Sequence, residues 1–279
     1  MVNLRDIELA SPMPPDFKTH LNYVSYMNNI SKDLKVELNF NIDSKAPFTK
    51  SALLKKIRLV ELIRESIDEE YKKAIKEKEF AKVCSMWIPV KSYYLIFNLL
   101  LILCVLINNE KGNLDYPHAK AISNFRNMIK SKKLLFNKNN LNLVLSCQEA
   151  IDFTSKSGDS LRDNLDDDKR ARSVLKKLCK YKFDDFCRYA GLREFRDLDS
   201  KKQKSKFFKD SEISLFEFFY WYRIKTNYRD LSFLDKEIYA GDIIKFYEGY
   251  YFLTINFHDA LKKLINDISK IRLGEYILK

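Results

Sequence analysis

From Leu95 to Ile107 the chain is apolar at every position except Asn98. The run falls short of the ~20 residues that cross a hydrocarbon core. Lys91 on one side and Asn108 to Glu110 on the other end it sharply. A helix that is apolar nearly all round must be covered on every side, so it belongs at the centre of a bundle. The rest of the chain therefore has to supply the helices that cover it. Only six Gly and six Pro in 279 residues favour long helices with few tight turns over a sandwich or barrel. With a 46% apolar content the chain can build a real core. The fold class expected is mostly α, a helical bundle.

The covering helices can be read from spacing. From Ser51, the residues Leu53, Ile57, Val60, Ile63, Ile67, Tyr71 and Ile75 recur three or four apart, which puts them on one helical face. Pro89 suits a first turn, because the missing N–H has no partner there in any case. The central helix is accordingly expected to start near it and run to about Ile107. Gly112 and Pro117 mark a connection, and Ala119, Ile122, Phe125 and Ile129 give a shorter helix. A further helix is predicted over Leu143 to Phe153, an exposed loop over Ser155 to Asp168, and another helix through Val174, Leu178, Tyr181, Phe186 and Tyr189. Ser214 and Glu217 have capping-box spacing and open an aromatic helix, Phe218 to Tyr222. Five adjacent aromatics exceed one buried stripe, so some should face a partner helix, a second subunit or a ligand. The last helix carries Ile243, Tyr247, Tyr250, Thr254, Phe257, Leu261, Leu264 and Ile268 at alternating gaps of four and three, a seam suited to bundle packing.

Residues 1–48 read differently. Ser11-Pro12-Met13-Pro14-Pro15 interrupts any helix, and Val36, Leu38, Phe40 and Ile42 alternate with polar residues as in a strand. A lone strand cannot satisfy its backbone, so it must pair with Asn3 to Leu9, another edge or a second subunit. The organisation expected is an N-terminal extended arm, 1–48, and a helical domain, 49–279, holding a Lys-rich helical insertion, 146–210.

The formal charge of +12 suits an anionic partner such as nucleic acid, because lysine and arginine release counterions condensed on it. Lys-rich coding bias accounts for the same number. Lys201, Lys202, Lys204, Lys206 and Lys209 form the densest patch, either a solvated connector or a phosphate-tracking loop. Five widely spaced cysteines without a CxxC pair, and no secretory start, point to a reducing cytoplasm. Asp166 to Asp168 reads as a solvated helix start, and the three histidines lack metal-ligand spacing. No metal and no cofactor are expected, and no membrane partner. The absence of GxGxxG, Walker, HExxH and GxSxG patterns makes those enzyme classes improbable.

Three short motifs occur in order. Tyr93-Tyr94-Leu95-Ile96-Phe97-Asn98 opens the apolar run, Tyr116-Pro117-His118-Ala119-Lys120-Ala121-Ile122 opens the next helix, and Tyr220-Trp221-Tyr222-Arg223 leads to Ile224-Lys225-Thr226-Asn227-Tyr228-Arg229-Asp230. In this order they resemble HEPN proteins, a superfamily of helical nucleotide-binding domains. The resemblance covers roughly Ser51 to Ile129 and Ser211 to Ile268. It implies a HEPN-like bundle, RNA as ligand, a homodimer with paired motifs in a shared cleft, and a toxin or antiviral setting with a protein partner or antitoxin. Many members are metal-independent endoribonucleases whose motif is an arginine, a polar residue and, further on, a histidine.

Metal-free RNA cleavage needs a cation on the scissile phosphate and a group that moves the proton of the attacking 2′-hydroxyl. Arginine meets the first need with its permanently charged planar fork, and histidine meets the second near neutral pH. The resemblance places the arginine at Arg223. Ile224 stands where the polar residue is usual, and Tyr228 where the histidine would be. Asn227-Tyr228 resembles the Asn-Tyr version found in a subset of the superfamily, so Arg223, Asn227 and Tyr228 are the candidate catalytic residues. Tyrosine, with a pKa of about 10, is a weak base at pH 7 but can donate to a phosphate. Arg229 and Lys225, with Lys201, Lys202, Lys204 and Lys206, are the candidate RNA contacts. Each has a structural counterpart: Arg223 packed along aromatics, Tyr228 in the core, Lys225 and Arg229 stabilising a helix C-terminus. His20 is expected on the surface and His258 on the solvent side of the last helix. His118 lies where the HEPN pattern often has a histidine, and capping or packing is its expected role. The competing functional class is a non-catalytic module that binds nucleotide, nucleic acid or protein.

Overall fold

A computed structural model of the chain describes residues 15–42, 50–108, 117–150, 167–189, 205–228 and 240–278. The elements are α1 (Pro15–Ser31), β1 (Val36–Leu38), α2 (Lys50–Ala74), α3 (Lys78–Asn108), α4 (His118–Lys130), β2 (Leu134–Phe136), β3 (Val144–Ser146), α5 (Asp167–Tyr189), β4 (Glu212–Ser214), α6 (Phe218–Tyr228) and α7 (Ala240–Leu273). The chain is mostly α-helical, as its spacing predicts.

The apolar helix is central. In α3, Leu95, Ile96 and every residue from Leu99 to Leu106 are buried, and α7, α2 and α6 pack around it. It is long and apolar enough to cross a membrane, yet most of that stretch is covered by protein. The helix begins at Lys78, well before the start predicted from Pro89, which lies in its interior. Proline lacks the N–H that would reach Ser85's carbonyl one turn back. The surrounding packing holds the helix through that gap, which spacing alone does not register.

The seam predicted in α7 is the one buried: Ile243, Tyr247, Tyr250, Thr254, Phe257, Leu261, Leu264 and Ile268 all face inward. Between α3 and α7 the Thr254 hydroxyl meets that of Ser92 at 2.7 Å, so these two buried hydroxyls satisfy each other.

Residues 1–48 are more than an extended arm. The last of the prolines taken as breakers, Pro15, is the first residue of α1, where a missing N–H costs nothing. Phe17, Val24 and Met27 of this helix are fully buried, and α1 packs along α7. Gly249 permits the close approach, since a β-carbon there would meet Val24 Cγ1 at 3.1 Å. The predicted strand forms over its first residues alone, Val36–Leu38, and its partner is β2, antiparallel with Val36 opposite Phe136 and Leu38 opposite Leu134. Its suggested partner Asn3 to Leu9 lies outside the described residues.

β3 and β4 also pair, Val144 opposite Ser214 and Ser146 opposite Glu212. The chain thus departs into the Lys-rich insertion and returns from it side by side. Where a helix was predicted over Leu143 to Phe153, β3 comes first and the described residues turn helical only at 147–150, because Val144 to Ser146 satisfy their backbone against β4. The predicted loop lies outside the described residues apart from Asp167 and Asp168, which are exposed in the first turn of α5. The insertion is not peripheral, because Val174, Leu175 and Leu178 of α5 are buried and Lys182 Nζ donates to the Glu212 carbonyl at 2.6 Å.

The five adjacent aromatics that open α6 are absorbed by the chain itself: Phe218, Phe219, Trp221 and Tyr222 are buried, and of the five Tyr220 alone remains partly exposed. Glu217, in the 3-10 turn before α6, accepts from Ser214 N–H at 3.3 Å, completing the acidic half of the predicted capping box. The same carboxylate accepts from Arg126 Nη1 at 2.7 Å and from Trp221 Nε1 at 3.3 Å. A buried ion pair therefore fixes where α6 starts.

Two histidines differ from expectation. His20 is buried, its Nδ1 3.0 Å from the Tyr222 hydroxyl, because the helix built from the arm places it on the inner face. His258 is also buried, with Nδ1 2.7 Å from Asp259 Oδ1. α7 is flanked by both α3 and α1, so its covered stripe is wider than a two-position seam.

Candidate functional site

The site is assembled from three helices around Arg223. Tyr220 and Arg223 are three residues apart on α6 and share a face. Tyr93 and Tyr94 come from α3, and His118 is the first residue of α4, placed by Pro117 at the cap with extended backbone (φ −54°, ψ 134°). The Arg223 Cζ lies 4.6 Å from the Tyr93 ring centre, 5.4 Å from that of Tyr220 and 5.9 Å from that of Tyr94. All three distances are within reach of a cation–π attraction. Arg223 Nη1 also donates to the Tyr94 hydroxyl at 3.4 Å.

His118 closes the cluster. It does not cap its helix through its side chain; its ring packs 4.3 Å from that of Phe97, and Nδ1 shares a hydrogen bond with the Tyr93 hydroxyl. Burial, then the positive charges of Arg223 and Lys56, hold its pKa below the ordinary 6.5. The imidazole is therefore neutral at pH 7. Burial pushes the Tyr93 hydroxyl well above its ordinary value, partly opposed by Arg223, so that phenol stays protonated. A neutral imidazole beside a fixed guanidinium is the pair that metal-free proton transfer at a phosphate ester requires.

Behind the cage, Tyr93, Phe97, Phe216, Phe219 and Tyr220 line an apolar crevice of about 10 Å³, at the threshold for one water. Among the described residues of the cluster the outer side is the open one, where Tyr94 is 37% exposed and His118 half-buried. Arg223 itself retains 9% exposure.

Of the predicted site residues, Arg223 is placed in this cluster. Lys225, Asn227 and Tyr228 continue the same helix, but their side chains lie outside the described ones. Arg229, Asp230, Lys201, Lys202 and Lys204 lie outside the described residues altogether. Lys206 is exposed on the helical segment 205–210, as is Lys209. The candidates read from the sequence omitted Tyr93, Tyr94 and His118, which gather around Arg223 although all three stand in the short motifs; His118 packs against Phe97, one of the two roles expected of it. Among the described residues no group of three His, Cys, Asp or Glu side chains is placed to hold a metal ion. All five cysteines are free thiols.

The two depressed histidines give stability a pH dependence. Burial, Arg64 and Lys262 lower the pKa of His258, with Asp259 pulling the other way. Between the depressed folded value and the ordinary 6.5 the unfolded chain binds more protons, so stability rises with pH there. It is complete above 6.5 and is lost as pH falls below it. Urea midpoints are expected to drop between about pH 7 and about pH 5, with a smaller drop in a His118→Gln/His258→Gln variant. Equal drops in the two proteins would refute the assignment.

No family model matches this chain, and no curated protein or solved structure matches it significantly. What the fold and site define is a class: a mostly α-helical protein with an arginine held among tyrosines beside a neutral histidine.

Proposed function

We propose that this chain is a HEPN-like RNA-binding protein that cleaves RNA without a metal, Arg223 engaging the scissile phosphate and His118 moving the proton. The observation that supports this reading is that His118, from a different helix, stands beside Arg223, offering an imidazole where the arginine motif of α6 has none. In the tautomer that donates Nδ1–H to the Tyr93 oxygen, the Nε2 lone pair is free to take the proton of a 2′-hydroxyl. Lys56 adds positive potential for the developing negative charge. The positive charge of the whole chain supports a polyanionic ligand. The setting that goes with the reading is a cytoplasmic homodimer of a toxin or defence system, with a protein partner or antitoxin.

A non-catalytic binding module is the second reading, and the low exposure of Arg223 favours it: a guanidinium stacked on three tyrosines also makes a structural clamp. Incubating the purified chain with total RNA in the presence of a chelator separates the two. Cleavage is expected, falling by about 100-fold or more in His118→Gln with an unchanged melting temperature. Undiminished cleavage in that variant would overturn the assignment of His118, and salt-sensitive binding without cleavage would establish the module.

A further inference from the structure

We propose that Trp87 and Tyr94 form a stacking row on α3 that takes unpaired bases of single-stranded RNA beside the phosphate engaged by Arg223. The inference rests on the RNA reading above and deepens it by naming the substrate class. Val83, Trp87, Val90 and Tyr94 follow one another at gaps of four, three and four, so they share one face of α3. Val83, Trp87 and Tyr94 are exposed and Val90 is half-buried. Single apolar residues at a surface are ordinary, whereas a row of them marks a contact. Trp87 is the extreme member: it is 54% exposed, and among the described residues it makes no ring contact and no hydrogen bond.

The row leads to the site. Tyr94, its last member, belongs to the cage, since Arg223 Nη1 donates to its hydroxyl at 3.4 Å. One turn further on, Phe97 and Asn98 are buried, so the exposed face stops there. Trp87 lies seven residues before Tyr94, about 10.5 Å along the helix axis. A strand that lays one phosphate on Arg223 can follow the row and set neighbouring bases on the two rings. Every base has a π-face, so such stacking tolerates any sequence. Duplex RNA keeps its bases stacked on one another, so only an unpaired strand can use the row.

The charge beside the rings favours a base over a protein side chain as occupant. Lys91, one turn after Trp87, pairs with Glu70 of α2 and donates to Ser66 at 3.1 Å. A dry protein interface laid over the row would take that half-buried pair out of water, at a desolvation cost. Surfaces that bind single strands instead combine rings with charged side chains.

The test compares Trp87→Ala with Tyr276→Ala, a change at an exposed ring elsewhere on the chain. Binding of a labelled single strand, 2′-O-methylated so that it lacks the attacking hydroxyl, is followed by anisotropy, beside a duplex of the same sequence. Trp87→Ala is expected to bind the single strand about 10-fold more weakly, and Trp87→Phe to recover most of that loss. Duplex binding and melting temperature should stay unchanged. The slope of log affinity against log salt should also hold, since no charge is removed. Equal affinities in Trp87→Ala and Tyr276→Ala, or equal losses for single strand and duplex, overturn the proposal. So does a smaller mass of Trp87→Ala by light scattering with RNA affinity unchanged, which would make the row a contact between copies of this chain. Cleavage of unmodified RNA is read separately. RNA held through Trp87 but left uncut refutes cleavage and keeps the row, whereas cleavage with unaltered affinity in Trp87→Ala refutes the row and keeps cleavage.

Discussion

Arg126→Met is expected to lower the unfolding free energy by about 3–5 kcal/mol, because it strands a buried carboxylate without its counter-ion. Glu217 is 2% exposed and Arg126 only 14%, so water cannot replace the lost partner. The remaining donors to Glu217, Trp221 Nε1 and Ser214 N–H, are neutral and cannot offset the charge. A second substitution sharpens the expectation. Glu217→Gln removes the charge and keeps one of the two acceptor oxygens, which Ser214 and Trp221 use separately, so the Arg126→Met/Glu217→Gln protein should recover part of the loss. Urea unfolding of the four proteins of this cycle, followed by circular dichroism, measures the coupling directly. A loss below about 1 kcal/mol in the single variant would show that the pair behaves as a surface ion pair. The consequence extends to function, because Glu217 sets the start of the helix that carries Arg223.

Phe257→Ala should cost a similar amount, about 3–5 kcal/mol, through lost burial and the cavity left behind. Its ring is fully buried and meets Phe219 edge-on at 5.2 Å and 82°, with Phe216 at 6.0 Å and Phe136 at 6.3 Å. It therefore joins α7 to α6, to the turn before α6 and to β2. Phe252, five residues earlier on the same helix, is 43% exposed and contacts Tyr71 and Tyr251 at the surface. Phe252→Ala should cost less than half as much, and thermal unfolding of the two variants makes the comparison. Equal losses would mean that aromatic content, not position in the core, sets stability here.

The bundle was legible because burial imposes a period on the sequence. Leu95 to Ile107 had to be central, and the gaps of four and three in α7 picked out its buried face, since an α-helix turns once every ~3.6 residues wherever it lies. α1 was hidden by prolines that break a helix in its middle but open one at its first residue, and Pro89 misled in the opposite sense. His20 and His258 were misplaced because a single helix does not reveal how many neighbours will cover it.

The sequence by itself determined that this chain would be a helical bundle around one apolar helix, with a cation at the end of an aromatic segment, because period and composition act locally. The tertiary structure alone decided that His118 and Tyr93 join Arg223 and that β1 pairs with β2. Those meetings depend on how helices far apart in the chain pack side by side, and no local spacing encodes that distance.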